Sequence, residues 1–195
     1  MSKLTIHTVR TPQDRVDLIS TQVVRSITGD DVMAFRQLVI RSVLGEVPDR
    51  DDMAAVQAVF SWAKANIRYI PDPLHFDLYP TAMEVILAGG GDCDCHVVVV
   101  ASILSLIGFQ TGAKVICTRG GLWHVYPLVF LPRDDPRIPL ALDTTWSDGR
   151  APGDEYPATD CKYVKAWIFE LRRGALRNAD IRNWWSFPFA GRARW

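Results

Sequence analysis

The stretch Gly89-Gly-Gly-Asp-Cys-Asp-Cys-His96 decides the fold, because an apolar run from Val97 to Gly108 follows it directly. The run is too long and continuous for an average strand, so we predict a helix from Asp94 to Ile107. That helix is apolar nearly all round and should therefore be buried. Its four consecutive valines favour a strand by local propensity, which leaves a strand as the alternative. The glycines allow a sharp turn that places a cysteine at the start of the helix.

The composition indicates one compact domain without a strong general charge. The chain has 195 residues and is 48% hydrophobic, which is enough to bury a core. Its 22 basic and 22 acidic residues balance, so nucleic acid is not expected as a partner. No apolar run reaches the roughly 20 residues that span a bilayer, and residues 1–20 lack the apolar core of a signal peptide. We expect no membrane contact and a cytoplasmic location, or a virion-associated one if the chain is phage-encoded.

The order of the predicted elements is typical of an α+β fold with an antiparallel sheet. Helical spacing of apolar residues predicts three N-terminal helices, near 14–27, 31–44 and 52–67, and a short helix after Thr81. Alternating patterns then predict strands near 113–118, 123–131, 138–144 and 161–171. Pro127 lies within the second of these strands and suggests an edge or a bulge there.

The two cysteines of the focal stretch are candidate nucleophiles. A cysteine attacks as the thiolate, and a helix N-terminus favours that charge. Cys93 and Cys95 would both lie at the predicted helix start. Asp92 and Asp94 suit a first helical turn, although their negative charge opposes ionisation of a neighbouring thiol. With only four cysteines in the chain, we predict free thiols rather than a disulfide scaffold.

A base and an orienting acid follow later in the chain. His124 opens a strand directly after the Gly120-Gly121 turn, and Asp143 ends the next strand. The start of one antiparallel strand lies beside the end of its neighbour, so these two side chains should lie close together. A nucleophile, a base and an acid that orients the base form a catalytic triad.

These residues together resemble the transglutaminase-like superfamily over roughly residues 50–146. The matching segments are Gly91-Asp-Cys-Asp, the helix ending Leu-Ile-Gly108, Trp-His124-Val-Tyr and Leu-Asp143-Thr-Thr. The resemblance implies a papain-like α+β fold and a Cys-His-Asp triad, in a cysteine peptidase, an amidase or an acyl transferase. By the family pattern Cys93 is the nucleophile, His124 the base and Asp143 the orienting acid.

The sequence also departs from the family pattern next to the nucleophile. Many members carry an acidic or another polar residue where this chain has Cys95, and His96 is unusual. The family's oxyanion hole combines the amide of the nucleophile with an upstream donor, for which Tyr69 is a candidate. The lead-in with Trp62 and Ile67-Arg-Tyr69 is similar to that of small bacterial and bacteriophage members.

A metal site is the main chemical alternative. Cys93, Cys95, His96 and His124 could form a Cys2His2 set, but the spacing Cys-x-Cys-His departs from the usual two to four intervening residues. We therefore predict no metal and no cofactor. The resemblance to cysteine peptidases implies a protein or peptide substrate.

Three regions are expected along the chain: a helical lead-in over residues 1–50, the catalytic core over 51–171 and a tail over 172–195. The aromatic and basic stretch Asn183–Trp195 either packs on the domain or binds a protein partner, since Trp and Arg are common in binding hot spots. A functional alternative follows, in which a phage structural or assembly protein keeps the fold for protein–protein interaction without catalysis.

Overall fold

The helices precede the main sheet in the chain. The computed structural model describes residues 6–7, 9–73, 77–146, 149–172 and 175–180. The helices in this part are α1 (Pro12–Thr28), α2 (Val32–Leu38), α3 (Asp52–Asn66), α4 (Ala82–Ala88) and α5 (Cys93–Leu106). One π-helical turn, Val39–Val43, continues α2. None of these described helices has the length and apolar character that crossing a membrane requires.

The strands form one large antiparallel sheet and two short pairs. The short strands are β1 (Ile6–His7), β2 (Arg68–Tyr69), β3 (Asp77–Leu78) and β4 (Gly90–Gly91), where β1 pairs with β3 and β2 pairs with β4. The large sheet contains β5 (Gln110–Thr118), β6 (Trp123–Leu131), β7 (Ile138–Ala141), β8 (Cys161–Arg172) and β9 (Ala175–Asp180). Its strand order is β7-β6-β5-β8-β9, and every neighbouring pair is antiparallel.

Helix α5 lies at the centre of the molecule. Every residue from Cys93 to Leu104 is buried. Helices α1, α3 and α4 pack against α5, and so do strands β5 and β6. A helix surrounded by neighbours must be apolar on all faces, which explains the long hydrophobic run. The predicted α+β class is confirmed, with N-terminal helices, a buried central helix led by cysteine and an antiparallel sheet, and the strand alternative for the valines is wrong.

Local capping sets where the helices begin and end. Thr11 and Asp14 form a capping box at the start of α1, and Thr81 and Glu84 form another at the start of α4. Gly89 ends α4 in the left-handed conformation, with φ of 69°, which glycine adopts without the cost of a Cβ. These signals are local in sequence, so helix positions could be predicted from the chain alone.

The structure differs from the sequence prediction in several elements, and the short strands β1 to β4 were not predicted. Strand β7 ends at Ala141, three residues before the predicted end, and β9 was not predicted. Strand β6 is an interior strand, although β7 pairs only with its residues 128–131, so Pro127 lies just outside that pairing. The aromatic and basic stretch Asn183–Trp195 lies outside the described residues.

Candidate active site

The turn before α5 places Cys93 at the first position of the helix. Strand β4 pairs in parallel with β2, which fixes the path of the chain into α5. Asp92 caps the helix, and its Oδ1 accepts the amide proton of Cys95 at 3.1 Å. A Cβ at Gly91 would lie 2.4 Å from Cβ of Cys95, so this position has no room for a side chain. The Cys93 residue that follows is 8% exposed.

His124 and Asp143 lie next to each other, His124 near the start of β6 and Asp143 two residues after the end of β7. The amide of Leu142 donates to the carbonyl oxygen of Pro127 at 3.0 Å, which brings the segment after β7 alongside β6. His124 Nε2 then lies 2.7 Å from Asp143 Oδ2, and both side chains are largely buried. If Nε2 donates this proton, Nδ1 is the ring nitrogen left to act as a base.

Asp143 is fixed by two further residues. Its Oδ1 accepts the Thr145 amide at 3.2 Å and the Thr145 hydroxyl at 2.7 Å, and its Oδ2 accepts the indole N–H of Trp146. Burial raises the pKa of Asp143, but the hydrogen bonds from His124 and Thr145 outweigh it and bring the pKa below its usual value. Asp143 is therefore charged near neutral pH. Sequence reasoning gave no role to Thr145 or Trp146, although both follow Asp143 directly.

The thiol of Cys93 is protonated in this arrangement. Burial raises its pKa well above the usual value, and the charges of Asp94 and Asp92 add to the effect. The sulfur contacts Asp94 Oδ1 at 3.8 Å. Arg15 and the backbone amide of Val125 act in the opposite direction but do not compensate. The expected lowering of the thiol pKa by the helix N-terminus is thus outweighed by burial and by two carboxylates.

No direct hydrogen bond joins Cys93 and His124 among the described residues. The contact of the Cys93 sulfur with the Val125 amide, one residue after His124, shows that the start of β6 lies beside the start of α5. The structure therefore brings His124 and Asp143 into direct contact and places Cys93 next to that pair, with its sulfur towards Asp94.

Asp94 is buried and paired with Arg15, a residue to which sequence reasoning gave no role. Asp94 is 2% exposed, and its Oδ2 lies 2.6 Å from Nη1 of Arg15 in α1. Arg15 also lies 3.5 Å from Asp77. Burial raises the pKa of Asp92 to about 7, and the charge of Asp94 adds to this. No local pattern relates Arg15 to Asp94, because 79 residues separate them.

Cys95 and His96 do not join Cys93 and His124 in one cluster of ligand atoms among the described residues. Both are buried, and burial raises the pKa of the Cys95 thiol. His96 Nδ1 lies 2.8 Å from the Thr144 hydroxyl. Among the described residues, the ligand atoms that cluster within 4.8 Å belong to Asp92, Cys93 and Asp94. The alternative Cys2His2 set is therefore not assembled in the part of the chain that the structure describes.

A shallow cavity of about 260 Å³ opens beside His124. Its walls are the chain segment leading into α1, including Arg10 and Pro12, and the side chains of Val115 and Trp123. Trp123 is 51% exposed, so an aromatic surface is available next to His124. His124 is therefore one of the residues that line this cavity.

The buried helix that begins at Cys93 and the antiparallel sheet that carries His124 define a transglutaminase-like, papain-like α+β fold. The chain is similar to calcium-bound LapG of Legionella pneumophila, with a TM-score of 0.52, 20% identity and coverage of 84% of this chain and 87% of that one. EGTA-treated LapG gives a TM-score of 0.49 and 17% identity over 84% and 90% of the two chains.

A candidate cysteine protease from Cytophaga hutchinsonii gives a TM-score of 0.49 and 13% identity, and the alignment covers 91% of this chain and 60% of that one. No family model and no curated protein matches the chain. At these identities the structural likeness establishes the fold and leaves the reaction to the chemistry of the site.

Proposed function

We propose that this protein is a thiol-dependent hydrolase, a peptidase or amidase, or else an acyl transferase, acting on an amide bond of a protein or peptide. Cys93 is the nucleophile, His124 the general base and Asp143 the acid that orients the base. The observation that carries this proposal is the buried 2.7 Å bond between His124 and Asp143 beside the start of α5. The transglutaminase-like fold supports it.

The proposed reaction starts with proton transfer from the Cys93 thiol to Nδ1 of His124. The sulfur first turns from Asp94 towards the imidazole, and the charged Asp143 stabilises the imidazolium that forms. The thiolate attacks the amide carbonyl, a C–S bond forms, and the amine leaves with the proton from His124. Water then resolves the thioester in hydrolysis, or a second amine does so in acyl transfer.

The oxyanion of the tetrahedral intermediate needs two donors. The amide of Cys93 is one, because the first residues of a helix have no intrahelical acceptor. We propose the Tyr69 hydroxyl as the other. Tyr69 pairs with Gly91 between β2 and β4, two residues before Cys93. Burial raises the pKa of Tyr69, and the charge of an ionised Cys93 raises it further, so the phenol stays protonated. Tyr69 is also 52% exposed, which leaves room for a substrate beside it.

Thiol labelling tests the assignment of the nucleophile. We expect a thiol-reactive electrophile at near-neutral pH to modify Cys93, and Cys93→Ala to abolish that modification. His124→Ala should slow the labelling by about 100-fold or more, since a positioned base contributes that much. Peptide mapping assigns the label, because Cys161 is partly exposed and can react on its own. Cys95→Ala is the matched control, and labelling that persists unchanged in Cys93→Ala would refute the assignment.

One observation favours a second candidate function, an assembly protein that keeps the fold without catalysis. The Cys93 thiol contacts Asp94 rather than His124, and its pKa is raised. A non-catalytic protein should show no turnover of amide substrates and a Cys93 labelling rate no faster than that of a free thiol. Co-purification with a phage particle would then support assembly.

Calcium is bound in one of the similar structures, which raises the question whether the residues around Cys93 would hold this ion. Calcium takes six to eight oxygen ligands. The Asp92-Cys93-Asp94 cluster offers two carboxylates and a thiol. The Asp94 carboxylate is paired with Arg15, and the Asp92 carboxylate caps α5. These residues do not fit a calcium ion, and no step of the proposed reaction requires one.

A further inference from the structure

His96 is a buried polar side chain that the proposed reaction does not use. It is 1% exposed, and its Nε2 has no hydrogen-bond partner of strict geometry among the described residues, although the Arg68 backbone lies close enough to oppose the lowering of the His96 pKa. Burying a polar ring costs free energy that such a contact only partly recovers. An apolar residue at this position of a hydrophobic helix would avoid that cost. The imidazole therefore contributes something that packing does not explain.

The bonded nitrogen of His96 connects α5 with the segment that carries Asp143. Its Nδ1 lies 2.8 Å from the Thr144 hydroxyl, and Thr144 is itself 4% exposed. His96 lies three residues after Cys93, which places the two side chains on neighbouring parts of one helix face. Thr144 is the residue directly after Asp143. The bond thus joins the nucleophile's helix to the orienting acid's segment.

This segment has few other bonds that fix its distance from α5. Strand β7 ends at Ala141, and the Leu142 amide makes the last described backbone hydrogen bond of this segment to β6. Asp143 itself bonds to His124 and to the two residues that follow Thr144. Among the described hydrogen bonds, the contact between His96 and Thr144 is the one that ties this segment to α5.

We propose that His96 is a positioning residue that, through Thr144, sets the distance between Cys93 and the His124–Asp143 pair. The inference rests on the proposed function, because its purpose is the alignment of a base with a thiol. It assigns no contact of His96 with the substrate. Misplacement of a catalytic group by about 1 Å can cost about 100-fold in rate, so one bond of this kind has a measurable effect.

The test removes each end of the bond in the full-length protein. We expect His96→Ala and Thr144→Val each to lower kcat at least about tenfold with a small change in KM, and the double variant to lose no more than either single one. Thr144→Ser keeps the hydroxyl and should retain activity. His96→Asn places an amide near the position of Nδ1 and should restore most of it. Ser102→Ala removes a buried hydroxyl of α5 that has no hydrogen-bond partner among the described residues, and it serves as the matched control.

A second measurement does not depend on turnover. The proton on Nε2 of His124, bonded to Asp143, should give a slowly exchanging NMR signal. We expect His96→Ala and Thr144→Val to broaden or remove that signal, while Thr144→Ser and Ser102→Ala preserve it. The positioning role would be overturned if Thr144→Val left both the NMR signal and kcat unchanged. It would also be overturned if the control Ser102→Ala lost both to the same extent. Absence of turnover in the wild-type protein with the NMR pattern intact would count against the proposed function alone.

Discussion

At the scale of single residues, two opposing effects act on the ionisation of the Cys93 sulfur. The N-terminus of α5 favours a thiolate at Cys93, as does the guanidinium of Arg15. Burial and the carboxylates of Asp94 and Asp92 favour the thiol, and they prevail. The thiol form therefore prevails at rest, and formation of the thiolate depends on proton transfer to His124. Such control would limit unwanted oxidation of the nucleophile.

Removing the carboxylate nearest the sulfur should activate Cys93. In Asp94→Asn the negative charge that raises the thiol pKa is absent, so we expect the pH profile of Cys93 alkylation to move to lower pH. Alkylation rates measured over a pH series check this. Asp77→Asn is the matched control, because Asp77 also pairs with Arg15. A profile that moves to higher pH, or moves equally in both variants, would contradict the explanation.

His96 should make stability depend on pH in a defined window. Burial lowers the pKa of His96 to about 4 from an unfolded value of 6.5, while Asp143 partly opposes this. Below about pH 6.5 the unfolded chain binds the proton and the folded protein does not, so acidification towards pH 4 destabilises the fold, by up to roughly 3 kcal/mol. The His96→Asn variant has no titrating group at this position, so its free energy of unfolding lacks this dependence on pH.

The measurement is the difference in free energy of unfolding between wild type and His96→Asn. We expect that difference to shift against the wild type as pH falls from about 6.5 to 4. Asp92, with its pKa raised to about 7, titrates with the opposite sign in the same range. It is present in both proteins, so the difference isolates His96. A pH-independent difference would show that the folded protein takes up the proton as easily as the unfolded chain.

At the scale of elements, the turn between α4 and α5 determines where the nucleophile lies. Gly89 ends α4 in a left-handed conformation, β4 pairs with β2, and Asp92 caps α5. All of these contacts join residues between 68 and 95. The glycine-rich turn therefore determines that the buried helix starts at Cys93.

A side chain at Gly91 should disturb the turn between α4 and α5. A Cβ there would lie 2.4 Å from Cβ and 2.6 Å from Sγ of Cys95, so Gly91→Ala must shift the first turn of α5. We expect a loss of about 1–3 kcal/mol in chemical unfolding and slower labelling of Cys93. Gly149→Ala is the control, because its Cβ would meet no atom within 4 Å. Equal stability of the two variants would argue against the tight turn.

At the scale of the whole molecule, the ion pair of Arg15 with Asp94 joins the first helix to the central one. Asp94 is almost fully buried and Arg15 is partly so. Loss of one partner from such a pair leaves an uncompensated buried charge. Helix α1 is thus part of the electrostatic environment of the site, even though it lies far from Cys93 in sequence.

This internal cation leads to a prediction about calcium. Since Arg15 already neutralises Asp94 and the other carboxylate caps α5, calcium should not bind tightly at this point. A ligand that binds only the folded state raises the unfolding temperature. We therefore expect the same Tm in millimolar calcium and in EGTA, with unchanged labelling of Cys93. A clear rise in Tm with calcium would show that the cluster accepts the ion.

Much of this architecture could be predicted from local patterns. The capping residues Thr11, Asp51 and Thr81, and the stop at Gly89, act within a few residues and are legible in the sequence. The end of β7 at Ala141 could not be predicted, because the length of a strand depends on the neighbouring strand with which it pairs. Strand β9 likewise exists through pairing with β8, and its own sequence carries only a weak strand pattern.

The sequence by itself determined the α+β order of the elements, the buried helix that follows the glycines, and the neighbouring positions of His124 near the start of one strand and Asp143 near the end of the next. These features follow from hydrophobic period, capping and turn residues, which act over short distances along the chain. Only the tertiary structure decided the partner of Asp94, the bond between His96 and Thr144 and the protonation of the Cys93 thiol. Burial and charge separation govern these, and both depend on distances between residues that the sequence keeps far apart.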